Sequence, residues 1–287
     1  MAAHSLPRRF LKRVLFPLVG KQTYQLVQSL AKAVDIRTGS WSEPELDLVP
    51  HAVREGETVF DIGANYGLYS YHLARAVGGT GRVYAFEPIP FVNETFRRVA
   101  RILRFQNVEL IPKGCSDRTG RVPFTLPLQV SGAISGGLAH IGQRNNERNG
   151  RATHFPYEKT EWVWCDVIAL DDLFPDVANL SFIKCDIEGA ELLAFRGAFK
   201  LIQRCVPIVL CEINPWFLEG FGIQLQELLD FFFEKGYKVY RYQVHGSDRQ
   251  LLEMSAQDIV EDNYLFIHPS RRDRFSSILR ETTCRVH

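Results

Sequence analysis

The residues best suited to chemistry in this chain are acids and bare backbone at regular places. Asp61, Gly63, Asn65 and Gly67 stand in VFDIGANYG, where a short apolar run stops. Glu87 follows in RVYAFEP, Ser116 and Asp117 in GCSD, Asp186 and Glu188 in IKCDIEG, and Glu212 with Asn214 in VLCEINP. Each apolar run ends on an acid or a polar residue, which a hydrophobic core does not require. Glycines beside the first acid suit a ligand that touches backbone, or a tight strand-to-helix turn. Asp61 would repel a pyrophosphate and suits a ligand with a cationic end. Glu87, at the next run's end, can accept hydrogen bonds from both hydroxyls of a ribose. Asp117 is placed to meet an adenine amino group, although Asp and Ser also favour turns by themselves.

Elements must bring these positions together. ETVFDIGA reads as a short buried strand, and Tyr69, Leu73, Ala76 and Val77 follow on one helical face. RVYAFEP is a second strand, followed by the helical stripe Val92, Phe96, Val99, Ala100 and Leu103, and NVELIPKG is a third strand. LSFIKCDIEGAE and PIVLCEINP resume the rhythm, then the stripe Leu225, Leu228, Leu229 and Phe232, then the strands GYKVYRYQV and NYLFIHP. Strands alternating with helices predict a mostly parallel sheet covered on both faces. The two closing strands, with no clear helix between them, predict an antiparallel hairpin at one edge. In such sheets ligands bind beyond the carboxyl ends of the strands, where the acids above fall. Between Ser116 and Leu180 the rhythm breaks. VPFTLP and EWVWCDVIAL read as a β-hairpin insertion over about 122–168, with a polar tip from about Gln129 to Lys159.

A ribose, an adenine and a cationic centre together describe S-adenosylmethionine. The segments VFDIGANYGLYS, GRVYAFEPIP, VIALDDL, FIKCDIEGAELLAFRGA and IVLCEINP, with GYKVYRY later, resemble the FkbM family of S-adenosylmethionine-dependent methyltransferases. They run in family order from about Thr58 to Tyr242. The resemblance implies a class I methyltransferase (Rossmann-like) α/β fold, with a seven-stranded sheet and an antiparallel edge strand. It implies cofactor contacts at Asp61, Gly63, Asn65, Gly67, Glu87 and Asp117, with Ser116 and Asp186 beside them. It implies methylation of an oxygen, often on a sugar, glycolipid or polyketide. Cys185 departs from the apolar or β-branched residue more usual at its position.

A hydroxyl acceptor must lose a proton, which asks for a base. Asp186 is the first candidate, as base, substrate anchor or partner of the methionine amino group. Glu188, Glu212 and His140 are further catalytic candidates, and His140 and His245 also read as plain surface histidines. Glu188 and Glu191 are expected in the first turn of a helix, where the helix dipole stabilises acids. Asp186, Glu212 and Asn214 form an oxygen set that Mg²⁺ accepts; strand-end acids have other uses here, and no residue is assigned to a metal. Trp216 and Phe217 suit the floor of an acceptor pocket, or the packing of a lid, as do Trp162, Trp164 and Phe221.

Composition sets the outer bounds. The 287 residues carry 46% hydrophobic side chains and a formal net charge of +1, which argues against binding nucleic acid by bulk charge. Six cysteines lie apart from any C-x-x-C pair, as buried thiols of a reducing cytoplasm would. The chain divides into a basic helical extension over 1–45, a methyltransferase domain over 46–270 and a tail over 271–287. Met1 to Val34 holds no acid and carries Arg8, Arg9, Lys12, Arg13, Lys21 and Lys32. This arm reads as a helix capping the domain with its basic face in water. It also reads as peripheral contact with an anionic membrane, or as a targeting segment, with Pro17 interrupting the helix. Two rival functions stand beside the methyltransferase. A nicotinamide-dependent oxidoreductase would want G-x-G-x-x-G, whose spacing GANYGLYS lacks. A catalytically silent S-adenosylmethionine-binding module would keep the cradle without transfer. The expected partner is a small-molecule or glycan acceptor.

Overall fold

The computed structural model describes residues 6–128, 140–141, 147–148, 151–152 and 159–280. Side chains are described for all of these except 6–19, 21, 127–128, 140–141, 147–148, 151–152 and 159. In chain order the elements are α1 (Leu6–Thr38), α2 (Val49–Ala52), β1 (Thr58–Ile62), α3 (Leu68–Val77), β2 (Arg82–Phe86), α4 (Pro90–Leu103) and β3 (Val108–Ile111). Then come β4 (Gly114–Cys115), β5 (Gly120–Leu128), β6 (His140–Ile141), β7 (Glu147–Arg148), β8 (Arg151–Ala152) and β9 (Lys159–Ile168). The second half holds α5 (Leu170–Leu173), β10 (Leu180–Cys185), α6 (Glu191–Arg196), α7 (Phe199–Cys205), β11 (Ile208–Ile213), α8 (Pro215–Glu219) and α9 (Leu225–Phe233). It closes with β12 (Lys238–His245), β13 (Asp248–Glu253), β14 (Asp262–Ile267) and β15 (Leu279–Arg280).

The main sheet has nine strands in the order β15-β13-β12-β14-β11-β10-β1-β2-β3. Seven of them, from β3 across to β12, make the class I methyltransferase sheet. The closing strands β12 and β14 pair antiparallel, as the sequence suggests, and the edge strands β13 and β15 also run against the parallel strands. β14 runs antiparallel between β11 and β12, and β13 and β15 extend the sheet beyond β12. The chain after NYLFIHP is part of this layer: Phe275 is fully buried, and Arg274 donates to the Glu57 carboxylate and to Ala52 O.

Side chains alternate along each strand, so each face of the sheet has its own core. Phe60, Ile62, Ile183, Val209 and Phe266 pack under α6, α7 and α9. Val59, Phe182, Leu210 and Leu265 pack under α3 with Ala33 and Ile36 of α1. The inserted hairpin is present, with β5 antiparallel to β9 from Gly120↔Val167 to Leu128↔Lys159. It belongs to a second sheet ordered β4-β9-β5-β6. A satellite core joins that sheet to the rest through Tyr24 of α1, Tyr66, Ile89, Phe91, Phe124, Leu126, Cys165 and Val167. The break in α1 falls at Gly20, whose φ of +73° suits a residue without Cβ, and not at Pro17.

Candidate active site

The strand order reverses between β1 and β10, which opens a crevice beyond their carboxyl ends. The turn after β1 is held by backbone in left-handed conformations at Gly63 (φ +81°), Asn65 (+48°) and Gly67 (+91°). Both glycines are demanded by the protein's own packing. A Cβ on Gly63 would lie 1.9 Å from the Asp186 carbonyl oxygen, and one on Gly67 would lie 2.8 Å from the Phe96 ring. The bare backbone thus lets the β1 and β10 loops close on each other. Gly63 N and Ala64 N donate to Phe86 O at 3.1 and 3.0 Å, tying the turn to β2 as well.

Asp61 is buried, and its Oδ2 accepts from Ser70 Oγ at 2.5 Å. Burial pushes its carboxyl up to about 6, against the Ser70 hydrogen bond and the Lys184 charge. Glu87 spans the next gap. Its Oε2 accepts from Asn65 N at 3.1 Å and its Oε1 from Ile89 N at 2.8 Å. Burial outweighs these bonds and raises the Glu87 carboxyl to about 8. Asn93, buried in α4, donates to Glu87 O at 2.9 Å. Asn65 Oδ1 is buried and accepts no hydrogen bond. Beside Gly63 a narrow apolar slot of about 20 Å³ is walled by Phe86, Pro88, Cys115, Ile187 and, from the inserted hairpin, Phe124.

Across the crevice the alternation of β10 puts Phe182, Lys184 and Asp186 toward α3, level with Asp61 and with Glu212 of β11. Lys184 is only 2% exposed; its Nζ lies 3.5 Å from Asp186 Oδ2, 3.3 Å from Asn263 Oδ1 and 5.1 Å from the Tyr69 ring centroid. Burial pulls this ammonium down, but Asp186, Glu212 and Glu43 together hold it above the ordinary lysine value. Asp186 is 38% exposed at its side chain, so one edge meets the crevice while Oδ2 faces Lys184. Burial opposes its ionisation, and the Lys184 charge with a hydrogen bond from Glu212 wins, holding it below the usual carboxylate range. Glu212 moves the other way, up to about 10, through burial and the Asp186 charge. Two carboxyls share one proton here, with Glu212 carrying it and Asp186 ionised. Glu45, buried in the connection after α1, adds a further carboxyl raised by burial and eased by Lys184.

The other expected residues divide. Glu188 has φ +59° in the loop before α6, outside the helical turn expected for it, and its charge raises Glu212 further. Glu191 opens α6; its Oε1 accepts from Ile187 N and Gly189 N and so fixes that loop. Asn214 is the N-cap of α8, its Oδ1 accepting from Trp216 N at 3.1 Å and Phe217 N at 3.3 Å, so this oxygen is engaged away from any shared ligand. Ser116 and Asp117 follow β4 and not β3, because the chain leaves the main sheet at Ile111; Ser116 Oγ donates to Asp117 Oδ1 at 3.2 Å. His140 pairs through its backbone with Thr125, and its side chain lies outside the described residues, as does most of the Gln129–Lys159 tip. His245 is exposed at the end of β12, next to Asp248 on β13. Trp162 and Trp164 are exposed on the hairpin face opposite Cys165 and Val167. Trp216 packs against Phe217 on α8, 5.2 Å between centroids.

Sequence reasoning passed over Lys184, Tyr69, Ser70, Asn263 and Glu45. Lys184 had a readable signal: a lone charge inside the apolar run LSFIKC, where an unpaired ammonium would be costly.

Residues 61–239 match the family model described as the methyltransferase FkbM domain. The chain is 26% identical over 165 residues to Methyltransferase 1 of Beauveria bassiana (strain ARSEF 2860), covering 54% of this chain and 64% of that one. It is similar to the solved methyltransferase FkbM from Methylobacillus flagellatus KT, at 18% identity and a TM-score of 0.44, over 91% of this chain and 59% of that one. Cofactor-bound Rv0187 from MTB matches at 14% identity and a TM-score of 0.41, over 91% and 94% of the two chains. This chain therefore spans less than two thirds of the first two relatives' lengths.

Proposed function

Because the chain belongs to the FkbM family of S-adenosylmethionine-dependent methyltransferases, we propose that it methylates a hydroxyl of a sugar, glycolipid or polyketide-like small molecule. The observation that carries this reading is Asp186 at the mouth of the β1–β10 crevice, partly open to it, with its Oδ2 3.5 Å from the buried Lys184 Nζ. The cradle fits the cofactor: Asn65 Oδ1 is a buried acceptor without a partner, and the buried Glu87 carboxyl suits a ribose diol. Asp61, Gly63, Asn65, Gly67, Glu87, Ser116, Asp117 and Asp186 would hold it. When bound, the cofactor supplies a methyl on a sulfonium whose charge is lost on transfer.

The chain's own groups do the rest. Asp186 orients the acceptor hydroxyl and takes its proton as the new C–O bond forms. Lys184 keeps Asp186 ionised until then, and Glu212 donates a hydrogen bond to it. Alignment and exclusion of water supply the remaining acceleration.

The test is incubation of the full chain with labelled S-adenosylmethionine and a panel of glycans and lipid extracts, with and without EDTA. Label in an alkali-stable ether, reduced at least 100-fold by Asp186→Asn, is the expected result. Label in an alkali-labile ester would replace the hydroxyl acceptor by a carboxyl. Unchanged cofactor binding in Asp61→Ala would sink the cradle assignment.

A further inference from the structure

The second half of α1 has an unusual outer face. Its inner side is anchored: Tyr24, Ser29, Ala33 and Ile36 are buried, and Gln25 Nε2 donates to Phe91 O at 2.9 Å. On the outer side Leu26 (45% exposed), Leu30 (48%) and Val34 (58%) follow one another at helical spacing, with Val27 (41%) beside them. A solvated helix normally places charge there. Between Gln22 and Val34 the only charged residue is Lys32, and its Nζ sits 3.8 Å from the centre of the Trp41 ring.

This stripe leads to an arginine groove. Arg37 lies three turns beyond Leu26 on the same line. It borders an open groove of about 760 Å³ together with Arg75 and Arg104, and among the described residues no acidic side chain lines it. Among the described residues no carboxylate pairs with these three arginines; Arg75 donates only to Tyr71 Oη, at 3.2 Å. Elsewhere on the surface arginines have acidic partners, as in Arg98–Glu94, Arg196–Glu227 and Arg249–Asp47. Ile102, 41% exposed, also lines the groove. The charge of the whole chain is near zero, yet residues 1–34 hold six basic residues and no acid. Four of these six precede the break at Gly20, and Lys21, Lys32 and Arg37 belong to the half of α1 that exposes the aliphatic stripe.

We propose that this face docks on an anionic lipid bilayer. α1 lies in the interface plane with Leu26, Leu30 and Val34 toward the acyl boundary, and the groove of Arg37, Arg75 and Arg104 takes lipid phosphates. Aliphatic area and basic charge on one helix are what an interfacial helix combines. A second copy of the chain would cover the stripe but would meet three unpaired arginines with three more. The inference goes beyond methyl transfer and assumes nothing about the acceptor.

The test is sedimentation of the full chain with vesicles of phosphatidylcholine alone and of phosphatidylcholine with phosphatidylserine. Binding to the anionic vesicles alone, weakening as salt rises, is expected. The combined Arg37→Gln, Arg75→Gln and Arg104→Gln variant should lower partitioning on the order of 100-fold, at roughly fivefold per arginine. Leu30→Glu should lower it at least about tenfold. Both variants should keep the cofactor affinity of the parent by calorimetry, which separates loss of docking from loss of fold. Absence of anionic-vesicle binding, or binding indifferent to both variants, overturns the proposal. So does a dimer that Leu30→Glu abolishes without any vesicle binding, or saturable binding of inorganic phosphate in a protein that ignores vesicles.

Discussion

In the proposed cradle the buried Glu87 carboxyl would link cofactor binding to proton release and to stability. Its folded-state value of about 8 lies above the ordinary 4.5, so the folded protein holds this proton more tightly than the unfolded chain. Its contribution to stability is complete below the ordinary carboxylate range and is lost as pH rises through about 8. Chemical denaturation across that window should show a decline on the order of a few kcal/mol without cofactor. Ribose hydroxyls favour the ionised form, so cofactor binding near neutral pH should release a proton. Calorimetry in buffers of different ionisation heat measures it, and Glu87→Gln should remove it. Lys184 is the counterpart across the crevice. Lys184→Met would leave Asp186 and its neighbours without their buried cation, at a cost of roughly 3–5 kcal/mol in urea unfolding. The strand-end acids were legible because their position at the end of an apolar run is a sequence property. The proton shared by Asp186 and Glu212 was not, because it depends on two strands meeting and on a lysine whose direction only the register decides.

At the scale of elements, the segments VIALDDL and RGA prove to be parts of one joint. Asp171 accepts from Lys200 N at 2.9 Å and Leu201 N at 2.8 Å, capping α7, while its own N–H donates to Gly197 O. A Cβ on Gly197 would lie 1.9 Å from Ser116 O, so the joint also seats the Ser116–Asp117 loop. Asp171→Ala should cost about 1–2 kcal/mol of stability by thermal or urea unfolding. It should weaken cofactor binding less than Asp61→Ala does, since Asp171 touches only the seat of the loop. The core strands and helices of this layer were readable from periodicity. The position of β14 inside the sheet was not, because hydropathy marks a buried strand without saying between which neighbours it lies. β13 was missed because DRQLLE, polar at four of its six positions and near the edge, carries little alternation.

At the scale of the molecule, one layered domain carries two additions, α1 and the inserted hairpin, that meet beside the turn after β1. Tyr24 comes from α1, Tyr66 from the cradle turn, Phe91 from α4 and Phe124 from the hairpin, in one small core. Tyr24→Ala should lower stability by roughly 3 kcal/mol. It should also weaken cofactor binding, read by calorimetry under conditions where the variant stays folded, because Tyr66 adjoins Asn65.

That shared core has a consequence for recombination. The hairpin contributes Phe124 both to the wall of the slot beside Gly63 and to the core that α1 completes. A hairpin grafted alone from a relative would therefore meet a floor shaped for another sequence. Exchange of acceptor preference between relatives should succeed when the hairpin and the first helix travel as a pair, and yield poorly folded chimeras when either travels alone.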